Sequence, residues 1–298
     1  MKASANHLAP HVGSRLALGT VQFGMEYGVS NRSGQVNQDE IRKILDVAAE
    51  AGIDTLDTAI AYGKSEAILG EVGVEGWKVV TKLPKVPEGV EDITSWVQDQ
   101  VDASLQRLRI RSLHGLLLHW PEQLLLHGAR LSAALTAVKK SGRVQKTGLS
   151  IYDPGQLEEF QALMSLDLVQ APLNILDRRL IASGWDARLR KAGVEIHTRS
   201  AFLQGLLLMA ERPKKFHRWD ALWSVWDDWL RRVGLTPLEA CLRYVLSCKT
   251  LDKIIVGVDG ADQLRQILSA GAGEMPPLPS WPSPVSPELI NPSCWPDL

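Results

Sequence analysis

Apolar residues return along this chain in two alternating rhythms. Short apolar runs, RLALGT, IDTLDT, WKVVTK, HGLLLH, VQKTGLS, LDLVQA, VEIHTRS and KIIVGV, have the length and continuity of buried strands. Between them lie longer segments whose apolar positions recur every three or four residues, as on one face of a helix: NQDEIRKILDVAAEAG, SEAILGEV, EDITSWVQDQVDASLQRLR, GARLSAALTAVKKSG, PGQLEEFQAL, RRLIASGWDARLRKAG, TPLEACLRYVLSC and ADQLRQILSAG. The punctuation agrees with the rhythm. Asn37 opens the first of these helices, Glu40 follows three residues on as in a capping box, and Gly52 closes it. The Gly-rich VQFGMEYGVSNRSG reads as a loop.

Eight short apolar strands alternating with amphipathic helices imply parallel pairing through right-handed crossovers, and eight strands close a barrel. The expected architecture is therefore α/β: one (β/α)8 TIM barrel over residues 16–271, with the whole chain forming a single domain. An open doubly wound sheet would need a G-x-G-x-x-G fingerprint after its first strand, and none stands there. Prolines in the tail, residues 272–298, exclude a helix or a central strand. Because Trp281, Leu289, Ile290 and Trp295 are costly to expose, this Pro/Trp-rich tail is expected to pack on the barrel. In RWDALWSVWDDWLRRVG the residues Trp219, Trp223, Trp226 and Trp229 recur at helical spacing, which marks a packing face first and a sugar-stacking or dimer surface second.

Composition narrows the function. With 45% hydrophobic residues the chain can bury a large core. Its 33 basic and 34 acidic residues nearly cancel, with no long basic stripe, so a small molecule is a better partner than nucleic acid. Three scattered cysteines suit a reducing cytoplasm, and the opening residues carry no apolar signal region. No window is long and apolar enough to suggest a membrane span.

Candidate chemistry gathers where strands end. In TLDTAIAYGKSE the second strand closes on Asp57, with Tyr62 in the turn beyond. The third ends on Lys82 in VVTKLP, the fourth on His119 in LLLHWP. In a barrel these carboxyl ends converge on one mouth. An ammonium near a phenol favours the phenolate, so Lys82 is expected to lower the Tyr62 pKa while Asp57 holds Lys82 charged. His119 would orient a carbonyl oxygen. A plain ion pair beside a core histidine is the alternative reading.

These motifs resemble those of the aldo-keto reductase superfamily, in order and each on its expected strand, from LALGT near residue 16 to QLRQIL near residue 268. The resemblance implies an NAD(P)(H)-dependent barrel that reduces aldehydes or ketones without a metal, with Tyr62 as general acid, Lys82 and Asp57 as its tuning pair and His119 as substrate-orienting donor. It further implies cofactor contacts at Gly19 and Thr20, at Ser150 and Gln170 for the nicotinamide carboxamide, at Arg199, Ser200, Leu203 and Gly205 of TRSAFLQGLL, and at Gly257, Asp259 and Gln263. Phe23, Tyr27 and Trp120 would wall a substrate pocket. Three departures stand out. Ile151 replaces the usual Asn, Arg199 replaces an aromatic that stacks on the nicotinamide, and Asp259 stands where NADP-preferring members often carry a basic residue. The resemblance favours NADPH; Asp259 keeps NADH open. Arg265 or the run Arg212, Lys214, Lys215 and Arg218 would supply any phosphate contact. A carbonyl substrate, sugar-derived on the evidence of the Trp-rich mouth, is the expected partner. A cofactor-binding regulatory barrel without turnover, or a lyase or epimerase on the same scaffold, remains open at this point.

Overall fold

The computed structural model describes residues 10–29, 34–282 and 284–297. The polar leader before them, and residues 30–33 of the first loop, lie outside the described residues.

Eight parallel strands close into a barrel in strict chain order. They are β1 (Leu16–Gly19), β2 (Thr55–Asp57), β3 (Lys78–Leu83), β4 (Leu113–Leu118), β5 (Val144–Ser150), β6 (Leu168–Pro172), β7 (Glu195–Arg199) and β8 (Lys253–Gly257). Closure occurs where β1 pairs with β8, Gly19 lying opposite Gly257. The strands read as apolar runs because both faces are covered, the inner by the barrel's own filling and the outer by helices. Val80, Leu117 and Leu168 form a small apolar layer apart from the large core between strands and helices. At the amino end of the strands, charges pair instead. Asp54 binds Lys78 at 2.8 Å and Lys253 at 2.6 Å, and Glu195 accepts from Lys146 and the ring nitrogens of His114 and His197.

Local departures from the expected elements have identifiable causes. Val21–Gly24 is a helical turn rather than loop. The segment after β6 breaks into Arg179–Ala182 and Trp185–Lys191 because Gly184 takes a left-handed conformation, φ 73°. At the helix Gln38–Glu50, Asn37 does cap the Glu40 amide, but the Glu40 carboxylate does not reach back to complete a box. It crosses instead to the Ala261 amide, 2.8 Å away. The Thr236 capping box is complete.

The tail packs on the barrel as expected, but it holds a short helix, Pro287–Ile290, contrary to the reading that its prolines exclude one: Pro287 stands in the first turn, where its missing amide costs nothing. Leu289, Ile290 and Trp295 are buried. Trp295 meets Phe216 edge-on at 4.9 Å, Trp281 lies 6.4 Å from Trp226, and the Trp229 indole donates to the Pro277 carbonyl at 3.0 Å. Tryptophans 223, 226 and 229 are thus spent on packing, which removes the sugar-stacking surface. Most of the basic run is likewise committed. Arg212 binds Asp227 at 2.9 Å, Lys215 donates to the Trp295 carbonyl, and Arg218 pairs with Glu288.

Candidate active site

The carboxyl ends of the strands bring Asp57, Lys82 and His119 together, and the loop after β2 folds Tyr62 over them. That loop is tightly set. Its Tyr62 amide donates to the Ala59 carbonyl, and Gly63 takes a positive φ of 54°. A side chain on Gly24 would strike the Tyr62 carbonyl, 1.9 Å from an added Cβ. The next helix, Ser65–Val72, is pinned by buried Glu66, which accepts from Thr81, Ser104 and Arg107. Glu66 ends the very motif that carries Tyr62, yet its anchoring role depends on partners far away in sequence and has no local signature.

Lys82 is 1% exposed and donates to both Asp57 oxygens, at 2.8 and 2.7 Å, and to the Thr58 carbonyl at 2.8 Å. All three ammonium donors are therefore used within the protein. Its Nζ lies 5.2 Å from the centre of the Tyr62 ring, and the Tyr62 and His119 rings meet edge-on at 5.9 Å. Burial lowers the Lys82 pKa against the pull of Asp57.

Electrostatics at Tyr62 run opposite to the expectation. Its pKa is raised, first by burial and then by the Asp57 carboxylate, while Arg199 opposes the rise. Lys82 does not reverse the rise: its ammonium is held by Asp57, and burial together with the Asp57 carboxylate pushes the phenol up. Tyr62 stays protonated throughout the neutral range. His119 is shifted down to about 4, by burial first and by Lys82 second, so its imidazole is neutral there. Its Nδ1 is buried without a protein partner.

Beside these groups opens a cleft of about 940 Å³ including its open mouth. Gly19, Thr20, Tyr27, Asp57, Tyr62, Arg199, Ser200, Gly205, Gly257, Asp259 and Gln263 line it, all candidates by sequence. Sequence reasoning missed Gln22 and Gln204. A Cβ on Gly257 would lie 2.6 Å from the Gln22 amide, and Gln204 donates to the Tyr27 hydroxyl at 3.0 Å. Their place in the two Gly-bearing loops after β1 and β7 was the available signal.

Other candidates lie elsewhere. Phe23 is fully buried on the inner side of its helical turn, in the core and off the cleft. Leu203 is also buried in the core. Trp120 is half exposed, 6.3 Å from the His119 ring, and is not part of the lining. Ser150 and Gln170 are buried behind the cleft and bonded to each other at 3.2 Å. Gln170 also donates to Asp57 Oδ1 at 2.6 Å, so in this arrangement its amide supports the ion pair.

The Aldo/keto reductase family profile matches residues 15–277. This chain belongs to that family. It is an oxidoreductase that reduces carbonyl compounds with NAD(P)H. Among its curated relatives, the NADH-specific methylglyoxal reductase of Escherichia coli (strain K12) is 25% identical over 302 residues, covering 86% of this chain and 89% of that protein. Two solved structures share the fold. An aldo-keto reductase from Bacillus halodurans, in its holo form, superposes with a TM-score of 0.69 at 20% identity, covering 93% of this chain and 89% of that one. The glycerol dehydrogenase from Gluconobacter oxydans gives 0.67 at 22% identity, covering 88% of each. Among the described residues no helix is long and apolar enough to cross a membrane.

Proposed function

We propose that Tyr62 is the proton donor of this reductase, that the Lys82–Asp57 pair fixes its surroundings, and that His119 orients the substrate oxygen. One observation carries the reading: a fully hydrogen-bonded buried ion pair stands against Tyr62, whose ring meets that of His119 edge-on at 5.9 Å. The raised pKa of Tyr62 keeps a proton on the phenol until charge develops on a substrate oxygen. Neutral His119 donates a hydrogen bond to that oxygen, while the Lys82–Asp57 pair holds the ground beside the phenol.

The cleft suits a nicotinamide dinucleotide. Its floor is made by Gly19 and Gly257, where side chains would crowd Ile255 or Gln22 and fill the space. The bound cofactor would supply the hydride. Gly19, Thr20, Ser200, Gly205, Gly257 and Gln263 are the residues that would hold it.

Its identity, on this reading, is NADH. The helix Ala261–Ala270 points its amino end at the Asp259 end of the cleft, a natural place for a phosphate. Here the Ala261 amide is already taken by the Glu40 carboxylate, and Asp259 adds a second negative group. Arg265, the nearby base, is paired with Asp262 at 2.7 Å. A 2′-phosphate would meet repulsion where a ribose hydroxyl would find acceptors. Three free cysteines accord with a reducing cytoplasm.

The test is Tyr62→Phe. It should lower kcat by roughly 10² to 10⁴ while NADH binding, followed by tryptophan fluorescence, is retained. An unchanged kcat would reject Tyr62 as the acid.

A further inference from the structure

We infer that Arg199 is an anion clamp, and that the carbonyl substrates of this enzyme carry a carboxylate next to the reacting carbon, as in 2-oxo acids. The inference rests on Tyr62 and His119 being the carbonyl-handling pair. It begins from charge. Arg199 is the one cation that lines the cleft among the described residues, and no carboxylate there pairs with it. Asp57, an acid of the same cleft, is taken up by Lys82 and Gln170. An arginine confined in a cleft with no counter-ion is a binding group waiting for one.

Geometry aims it. Arg199 ends β7 opposite Pro172 at the end of β6, at the mouth where Asp57, Lys82 and His119 also stand. Its guanidinium lies 4.5 Å from the centre of the Tyr152 ring, and its two terminal nitrogens each donate once, Nη2 to the Ile151 carbonyl at 3.1 Å and Nη1 to the Ser200 hydroxyl at 3.3 Å. These contacts fix the plane and leave most of its five donors open. A planar fork held in this way matches a carboxylate in two parallel hydrogen bonds. The backbone that follows is itself held in an unusual form: Ser200, Leu203 and Gln204, none of them glycine, have φ of 65°, 49° and 52°. Such strain collects where a protein must hold a group in place.

In the reaction, the bound cofactor would supply a hydride to the keto carbon, and Tyr62 gives its proton to the keto oxygen. The carbonyl π bond is lost, the cofactor is oxidised, and a 2-hydroxy acid forms with its carboxylate unchanged on Arg199.

The test compares pyruvate with methyl pyruvate, and benzoylformate with its methyl ester, in NADH-dependent reduction. The readout is the ratio of kcat/KM for acid over ester, which cancels any general loss of activity. The wild type should favour the acid. Arg199→Gln should lower that ratio by about tenfold to a hundredfold, the worth of a charge-assisted hydrogen bond, with the change in KM. Arg199→Lys, which keeps the charge and loses the fork, should fall between. Calorimetry supplies a readout without turnover: the NADH-loaded wild type should bind mandelate more tightly than methyl mandelate, and Arg199→Gln should not discriminate. Esters reduced as well as acids by the wild type would overturn the inference while leaving the Tyr62 reading intact. So would an Arg199→Gln protein that loses NADH affinity and keeps the acid-to-ester ratio, since Arg199 would then serve the cofactor. Failure to reduce any of the four compounds would bring down the reading beneath as well.

Discussion

Replacing Lys82 with methionine tests how much of the fold hangs on the site. The two partners' side chains are 1% and 6% exposed, and the ammonium makes three hydrogen bonds. Removing one member of a buried ion pair leaves the other charge uncompensated, at a cost of about 3–5 kcal/mol. Here Gln170 would still donate to Asp57, so the lower end applies, about 3 kcal/mol. The double variant Lys82→Met, Asp57→Asn removes both charges and keeps an oxygen for Gln170. It should be more stable than the sum of the single changes requires by at least about 1 kcal/mol. Urea unfolding followed by the fluorescence of the ten tryptophans gives all four corners of the cycle. A Lys82→Met protein within about 1 kcal/mol of wild type, or strictly additive single costs, would show that the pair is not the dry, coupled unit described.

Other consequences follow from the same geometry. Because His119 is held down to about 4 in the folded protein against 6.5 when free, the unfolded chain binds the extra proton between those values. Stability should therefore fall as pH drops from about 6.5 to about 4, by up to about 3 kcal/mol, and His119→Asn should flatten that part of the curve. For the cofactor, Asp259→Ser combined with Glu40→Gln should raise kcat/KM with NADPH relative to NADH by about tenfold or more, since two repulsive charges are removed; an unmoved ratio would place cofactor choice elsewhere. In the tail, Trp295→Ala removes a buried ring packed on Phe216 and should cost about 3–5 kcal/mol in urea unfolding.

What the sequence revealed, and what it hid, divides along physical lines. The eight strands were legible because burial on both faces leaves continuous apolar runs, and their number and alternation with helices specify closure. Asp57, Lys82 and His119 were legible because a barrel sends every strand's carboxyl end to one mouth, so position along a strand predicts proximity. Relations across the barrel were not legible. Gln170 turns its amide to Asp57, 113 residues away, and Glu40 leaves its own helix to cap another that begins 221 residues later. Neither choice has a local signature. The sign of the Tyr62 shift was misread for the same reason: it depends on how closely Lys82 is held by Asp57 and how dry the pocket is, both of which are distances. Phe23 lay on a Gly-rich stretch that suggested a loop, and the helical turn that forms there faces it inward.

The central claim is that Tyr62 delivers the proton as hydride reaches a carbonyl carbon. Its most direct measurement is a single turnover of the NADH-loaded enzyme, mixed rapidly with a carbonyl substrate and followed by cofactor absorbance, in wild type and Tyr62→Phe. The account predicts a burst of NADH oxidation in the wild type that slows by roughly 10² to 10⁴ in the variant at unchanged NADH occupancy. Equal rates in the two proteins would contradict it.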